Sequence, residues 1–231
     1  MSLSIVIPIL NEDKNIEILH KKIIFNLKKI NYEIIFVDDN SDDNSKSILK
    51  KISKNNKKTK FIIRKKNRDL TQSCFLGIEN AKYDNILIMD GDLQHDPLNL
   101  PLLIQKYFKK KADVLIGTRN FKKKIEGLDI FRFYTSKILI SIFNFFFGFK
   151  TTDPLSGFFI FKKQIYTKNK KKLFGKGYKI LIDLLYNNKK NIKIFEQKIN
   201  FKMRNFNSSK ISLRVLLNFL KLIIFLMIRF K

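Results

Sequence analysis

Four carboxylates stand where apolar runs give way to polar turns: Asp38 and Asp39 after YEIIFV, and Asp90 and Asp92 after NILIM. Asp90-Gly91-Asp92 puts two of them one residue apart, so both can reach one divalent cation, and Gly91 imposes no side chain on an approaching ligand. A hard cation bound through oxygen keeps positions open for phosphate oxygens. The chemistry this spacing suits is binding of a phosphate or diphosphate through Mg²⁺ or Mn²⁺. His95 follows closely, but such ions prefer oxygen, so it is expected to support the turn and not to ligate.

The elements that must carry these residues are legible from periodicity. LSIVIPI is a β-branched run, followed by the Asn11-Glu12-Asp13 capping cluster and by IEILHKKIIFNLKKI with helical apolar spacing. The cycle repeats with YEIIFVDD, NSDDNS and SKSILKKISK, then with KFIIRKK and LTQSCFLGIENA, and NILIMD makes a fourth strand. NLPLLIQKYFKKK and DVLIGTR continue as helix and strand. Repeated β-α-β order with continuously apolar strands predicts a parallel sheet covered on both faces. Ligands then belong at the strands' carboxyl ends, where the aspartates stand. His20, on the first helix, is expected at the surface, and Cys74, on the third, as a buried thiol.

After residue 131 the character changes. Residues 133–149 are rich in aromatic and apolar side chains and suit a helix at a membrane interface. In residues 211–231, Arg214, Asn218 and Lys221 recur at spacings of four and three, so they share one helical face while Leu, Ile and Phe fill the rest. The uncharged stretch from Leu222 to Ile228 is shorter than the roughly 20 residues a bilayer core requires, so this segment is expected to lie on a membrane. For both segments the alternative is an ordinary core-facing helix. KNKKK at 168–172 reads as a solvated run.

Composition bounds the setting. A chain of 231 residues, 45% apolar, can bury one substantial core. Its net charge of +27 attracts anions of many kinds, and the crowding of Lys, Ile, Asn and Phe throughout the chain reads equally as a general compositional bias. The single cysteine excludes an intrachain disulfide and fits a reducing compartment. The first residues, MSLSIVIPILNED, lack a secretory pattern, so a cytoplasmic location is expected.

Taken in order, IVIPILNE, FVDDNSDDN, NRDLTQSCFLGIENA, MDGDLQHDP, IGTR, the Arg and Ser of FRFYTSK, DPLSGFFIF, GYKILID and FKMRNFNSSK resemble the inverting glycosyltransferases of family 2, and among them the polyprenyl-phosphate sugar transferases. The likeness runs from about residue 4 to residue 210. It implies a GT-A fold: a Rossmann-like, mostly parallel sheet with flanking helices, forming a catalytic domain over 1–210, with 211–231 as the amphipathic membrane-associating helix. It also implies that Pro8, Leu10, Glu12, Val37 and Asp39 line the nucleotide. Asp90, Asp92 and Gln94, with Gly91 between the two aspartates, would hold the metal and through it the donor diphosphate. Arg119, Arg132 and Ser136 would take the acceptor phosphate, and Arg204 and Lys210 would close over the nucleotide phosphates. The implied partners are a nucleotide sugar (GDP-mannose or a UDP-hexose), a dolichyl or undecaprenyl phosphate, the cytoplasmic membrane surface and, for a chain ending at Lys231, a separate membrane subunit. Three positions depart from the pattern: Phe159 where Arg is usual, Asp183 where Glu is usual, and Asn207 where Gly is usual.

Two other classes are weighed against this one. An RNA-binding module has the positive charge in its favour, but no aromatic RNP pattern or Gly-X-X-Gly loop is present, and strand-end carboxylates repel a phosphate backbone. A phosphatase with Asp90 as nucleophile lacks a hydroxyl residue two positions after Asp92. A family 2 enzyme with a non-lipid glycan acceptor is the nearest rival.

Overall fold

The structure is a computed structural model that describes residues 1–119, 140, 141, 145, 148, 151–177, 180–188, 192–202, 221, 224 and 225. In chain order the elements are β1 (Ser2–Ile9), α1 (Asp13–Asn26), β2 (Asn31–Asp38), α2 (Ser45–Asn55), β3 (Thr59–Ile63), α3 (Leu70–Glu79), β4 (Asn85–Ile88), α4 (Leu100–Lys109), β5 (Val114–Thr118), β6 (Phe159–Lys162), α5 (Lys163–Thr167), α6 (Ile180–Tyr186) and β7 (Ile194–Lys198). Among the described residues the strands form one sheet of seven, ordered β3-β2-β1-β4-β6-β5-β7. Every neighbouring pair is parallel except those made by β6, which runs antiparallel to both β4 and β5.

Alternation along the strands splits the core into two layers. Leu3, Ile5, Ile7 and Ile9 of β1 and Ile34 and Phe36 of β2 pack with Ile16, Leu19 and Ile23 of α1, Leu49 of α2 and Leu103 of α4. Val6, Ile35 and Val37 face the other way, toward Cys74 and Ile78 of α3 and Leu181 and Leu184 of α6. The apolar strands follow from this double covering. Asp69 caps α3 by accepting from Gln72 N–H at 3.0 Å.

His20 departs from its expected surface position. It is 8% exposed, because α1 turns that position inward to Phe36 of β2 and to Thr59 of β3, whose Oγ1 lies 2.8 Å from Nε2. Cys74 is fully buried, and burial pushes its thiol well above the usual range. Lys170, Lys171 and Lys172 are exposed. The segments 133–149 and 211–231 lie mostly outside the described residues, among which no helix is long and apolar enough to cross a membrane.

Candidate active site

The topology decides which strand ends meet. β1 lies between β2 and β4, and its register sets Pro8 beside Val37 and Ile9 beside Asp38. Asp38–Asp39 and Asp90–Asp92 therefore flank the exit of β1 from its two sides. The β1 and β2 exits are tied together by side chains: Asn11 N–H donates to Ser41 Oγ at 2.9 Å, Asp42 N–H to Asn11 Oδ1 at 2.8 Å, and Glu12 N–H to Ser45 Oγ at 3.1 Å. Asn11 and Asn40 sit at φ 52° and 60°, where an asparagine is tolerated better than most residues.

The carboxylates along this edge have different work. Asp38 is fully buried and accepts from Ser41 through both its backbone N–H and its hydroxyl. Asp39, 4% exposed, accepts from Arg64 Nε at 2.6 Å and from Asp69 N–H at 2.6 Å. Burial raises the Asp39 carboxyl above the usual aspartate range, against the opposing pull of Arg64. Arg64, itself 7% exposed, also donates to Asn67 O and to Ser73 Oγ. Glu12 is 4% exposed and accepts from Asn15 Nδ2 at 2.7 Å. Pro8 is buried and Leu10 half-buried. Val37 is fully buried toward α3, so only its backbone faces the strand exit.

The turn after β4 is built tightly. A Cβ on Gly91 would stand 2.5 Å from Ile9 Cδ1 and 3.4 Å from Pro8 O. Any side chain at 91 would therefore press on the tip of Ile9 at the end of β1. Leu93 has φ 65°, a conformation unfavourable for its branched side chain by about 1–2 kcal/mol, and is held there by burial in the core. Asp92, 5% exposed, accepts from Gln94 N–H at 3.1 Å. Asp90 has 36% of its side chain exposed. Its N–H donates to His95 Nδ1 at 3.4 Å, and the same nitrogen lies 3.5 Å from its Oδ2. Gln94 turns its amide toward Lys202 O at 3.4 Å, while Lys202 N–H donates to Gln94 O at 3.0 Å and Lys202 Nζ lies 2.7 Å from Asp96.

Across the turn, the Arg119 guanidinium grips fully buried Asp153 with two bonds, Nε to Oδ2 at 2.8 Å and Nη2 to Oδ1 at 2.7 Å. The same guanidinium lies 5.8 Å from the centre of the Phe201 ring, which stands edge-on to His95 at 5.5 Å. Two ring contacts thus connect Arg119 to Asp90. Asp183 accepts from the N–H groups of Phe174 and Gly175 at 3.0 and 2.9 Å, which makes it the anchor of the loop before α6. Phe159 is fully buried in the layer facing α3, so this position belongs to the core. Arg132, Ser136, Arg204, Asn207 and Lys210 lie outside the described residues.

The donors at the β4 exit fit a hard divalent ion. Asp90 and Asp92 supply oxygens, and the backbone of Gly157 leaves room for the Asp90 carboxylate where a Cβ would stand 2.7 Å from Oδ2. Among the described residues no three His, Cys, Asp or Glu side chains converge to hold a metal, so an ion here needs further oxygens, as a bound diphosphate supplies. Sequence reasoning passed over Arg64. The signal was present, since it is the first cation after the third strand and so falls on the same edge as the aspartates.

Comparison with known proteins agrees with this architecture. Residues 4–169 match the model of glycosyl transferase family 2. A dolichol-phosphate mannosyltransferase of Pyrococcus furiosus is 33% identical over 96% of this chain, which spans 62% of that relative's length. Its counterpart in Saccharomyces cerevisiae is 28% identical over 94% of this chain and 84% of its own. The fold is shared with glucosyl-3-phosphoglycerate synthase from Mycobacterium tuberculosis, at TM-score 0.71 and 17% identity over 99% of this chain and 79% of that one. The same enzyme, solved with Mn²⁺ and UDP-glucose, superposes at TM-score 0.68 over 96% and 76%, again at 17% identity. A family model that matches well over half the chain, on a sheet of matching topology, places the protein: it belongs to glycosyl transferase family 2.

Proposed function

We propose that this protein transfers a sugar from a nucleotide sugar to the phosphate of a polyprenyl carrier, with inversion at the anomeric carbon, at the cytoplasmic face of a membrane. The observation that carries the reading is Asp90: on an edge where Asp38, Asp39 and Asp92 are all buried, its carboxylate stands against the backbone of Gly157 yet reaches solvent. The two dolichol-phosphate mannosyltransferase relatives support the lipid acceptor, and the fold-sharing synthase with Mn²⁺ and UDP-glucose supports a metal-assisted nucleotide-sugar donor.

In this reading the exits of β1 and β2 receive the nucleoside, with Pro8, Leu10, Glu12, the Val37 backbone and Asp39 nearby. Asp90 and Asp92 hold the ion, with Gln94 beside them. A bound Mg²⁺ or Mn²⁺ there offsets the charge of the donor diphosphate and of the leaving nucleoside diphosphate. An acceptor phosphate is already ionised at neutral pH, so it attacks without a strong protein base. The chain's task is alignment and screening of anions. Arg119, fixed by Asp153, presents part of its guanidinium to that task, and Arg132 and Ser136 complete the acceptor set. Arg204 and Lys210 would close over the nucleotide phosphates; they come two and eight residues after Lys202, whose Nζ lies 2.7 Å from Asp96.

The test is incubation of membranes carrying the full chain with radiolabelled GDP-mannose and UDP-hexoses and Mn²⁺ or Mg²⁺. Label is expected in the organic phase, and its loss is expected for Asp92→Asn. Label confined to water-soluble products refutes the lipid acceptor.

A further inference from the structure

The Asp90 carboxylate touches a turn to which the reading above gives no role. Ser156, Gly157 and Phe158 enter β6 alongside the end of β5. Ser156 Oγ donates to Gly117 O at 2.7 Å, and Gly117 N–H donates to Phe158 O at 2.8 Å, so the turn is tied to the sheet at both ends. Gly157 then lies against Asp90. A Cβ built there would meet Oδ2 at 2.7 Å and Cγ and Oδ1 at 3.2 Å. Phe158 stacks on His95 at 5.2 Å with 20° between the rings, while Phe201 meets the imidazole edge-on at 5.5 Å. His95, so held, meets both the backbone N–H and the carboxylate of Asp90.

We infer that the Ser156–Gly157–Phe158 turn is a positioning device for Asp90: Gly157 sets where the carboxylate stands, and Phe158, acting through His95, sets how the residue is aimed. The inference rests on the reading that Asp90 binds the divalent ion. It assigns a physical reason to each residue of the triplet. Serine anchors it to β5, glycine admits the carboxylate, and phenylalanine supports the imidazole. The three atoms an alanine Cβ at 157 would meet first all belong to the Asp90 side chain, so the collision is relieved by turning that one carboxylate away.

Mn²⁺ binding to the full-length protein, followed by the electron paramagnetic resonance signal of the free ion without nucleotide, tests this. Gly157→Ala is expected to weaken Mn²⁺ by about tenfold or more, in the range known for residues that orient metal ligands, with a urea midpoint close to wild type. Activity lost at low Mn²⁺ should return as Mn²⁺ is raised, which separates a shifted KM for the ion from a lowered kcat. If Asp90→Asn weakens Mn²⁺ and Gly157→Ala does not, the positioning role is refuted and the metal reading stands. If Asp90→Asn binds Mn²⁺ as wild type does, the metal reading itself fails and takes this inference with it. Should Gly157→Ala not fold, Phe158→Leu carries the test: Mn²⁺ affinity lowered severalfold supports the role, and unchanged affinity overturns it.

Discussion

Replacing Arg64 with methionine keeps much of the side chain's volume and removes the charge that faces Asp39. Both partners are at least nine-tenths buried, and the carboxylate would keep the Asp69 N–H and the Ser73 hydroxyl but no cation. Breaking a buried pair in this way costs about 3–5 kcal/mol. Protonation of Asp39 sets a ceiling, because a neutral carboxyl escapes the penalty of an unpaired charge. From the ordinary value of 3.8, neutralising the group at pH 7 spans about 3.2 units, or at most about 4.4 kcal/mol at ~1.36 kcal/mol per unit, less the part that burial already costs the wild-type carboxyl. At pH 5 the same ceiling is about 1.6 kcal/mol. The sign follows: in the variant the folded-state carboxyl titrates above its unfolded value, so the penalty is absent below pH 3.8 and grows as pH rises toward the new value. Urea denaturation of wild type and Arg64→Met at pH 5 and pH 7 measures both quantities. A destabilisation of about 3–4 kcal/mol at pH 7 that falls by half or more at pH 5 is expected. A loss that is the same at both pH values refutes the argument that an unpaired Asp39 charge is its source.

Asp153→Asn leaves the Arg119 fork facing a neutral amide in a fully buried position; a loss of about 3 kcal/mol in urea is expected, with a raised KM for the acceptor and little change in KM for the donor. Gly77→Ala puts a Cβ 2.3 Å from Val6 Cγ1 and presses α3 off the sheet. It should destabilise by about 1–3 kcal/mol in urea, while Mn²⁺ affinity stays as in wild type.

The strand and helix order through β5 follows from apolar runs and caps, since each element buries its own periodic face and needs only local sequence. β6 and β7 were harder to read. FIFK is four residues long and directly follows a turn, and IFEQK has no residue buried below the half-exposed class, so neither presents a distinct pattern. The antiparallel placement of β6 between β4 and β5 is what brings Gly157 against Asp90, although 67 positions separate them in the chain. The aspartates were legible as a group because they follow apolar runs. Their separate duties were not, because a buried Arg64 and a half-open turn are properties of packing.

From residue order alone came the alternation of strands and helices, the edge on which the acidic residues gather, and the glycosyltransferase likeness, because periodicity and motif spacing are local and one-dimensional. Only the tertiary structure decided that Asp39 is committed to Arg64, that Gly91 lies against the tip of Ile9, that His20 is inside, and that Asp90 rests between His95 and Gly157. Each of these depends on which distant segments share a surface, and that is settled when two apolar layers close on the sheet and leave every buried charge to find a partner within reach.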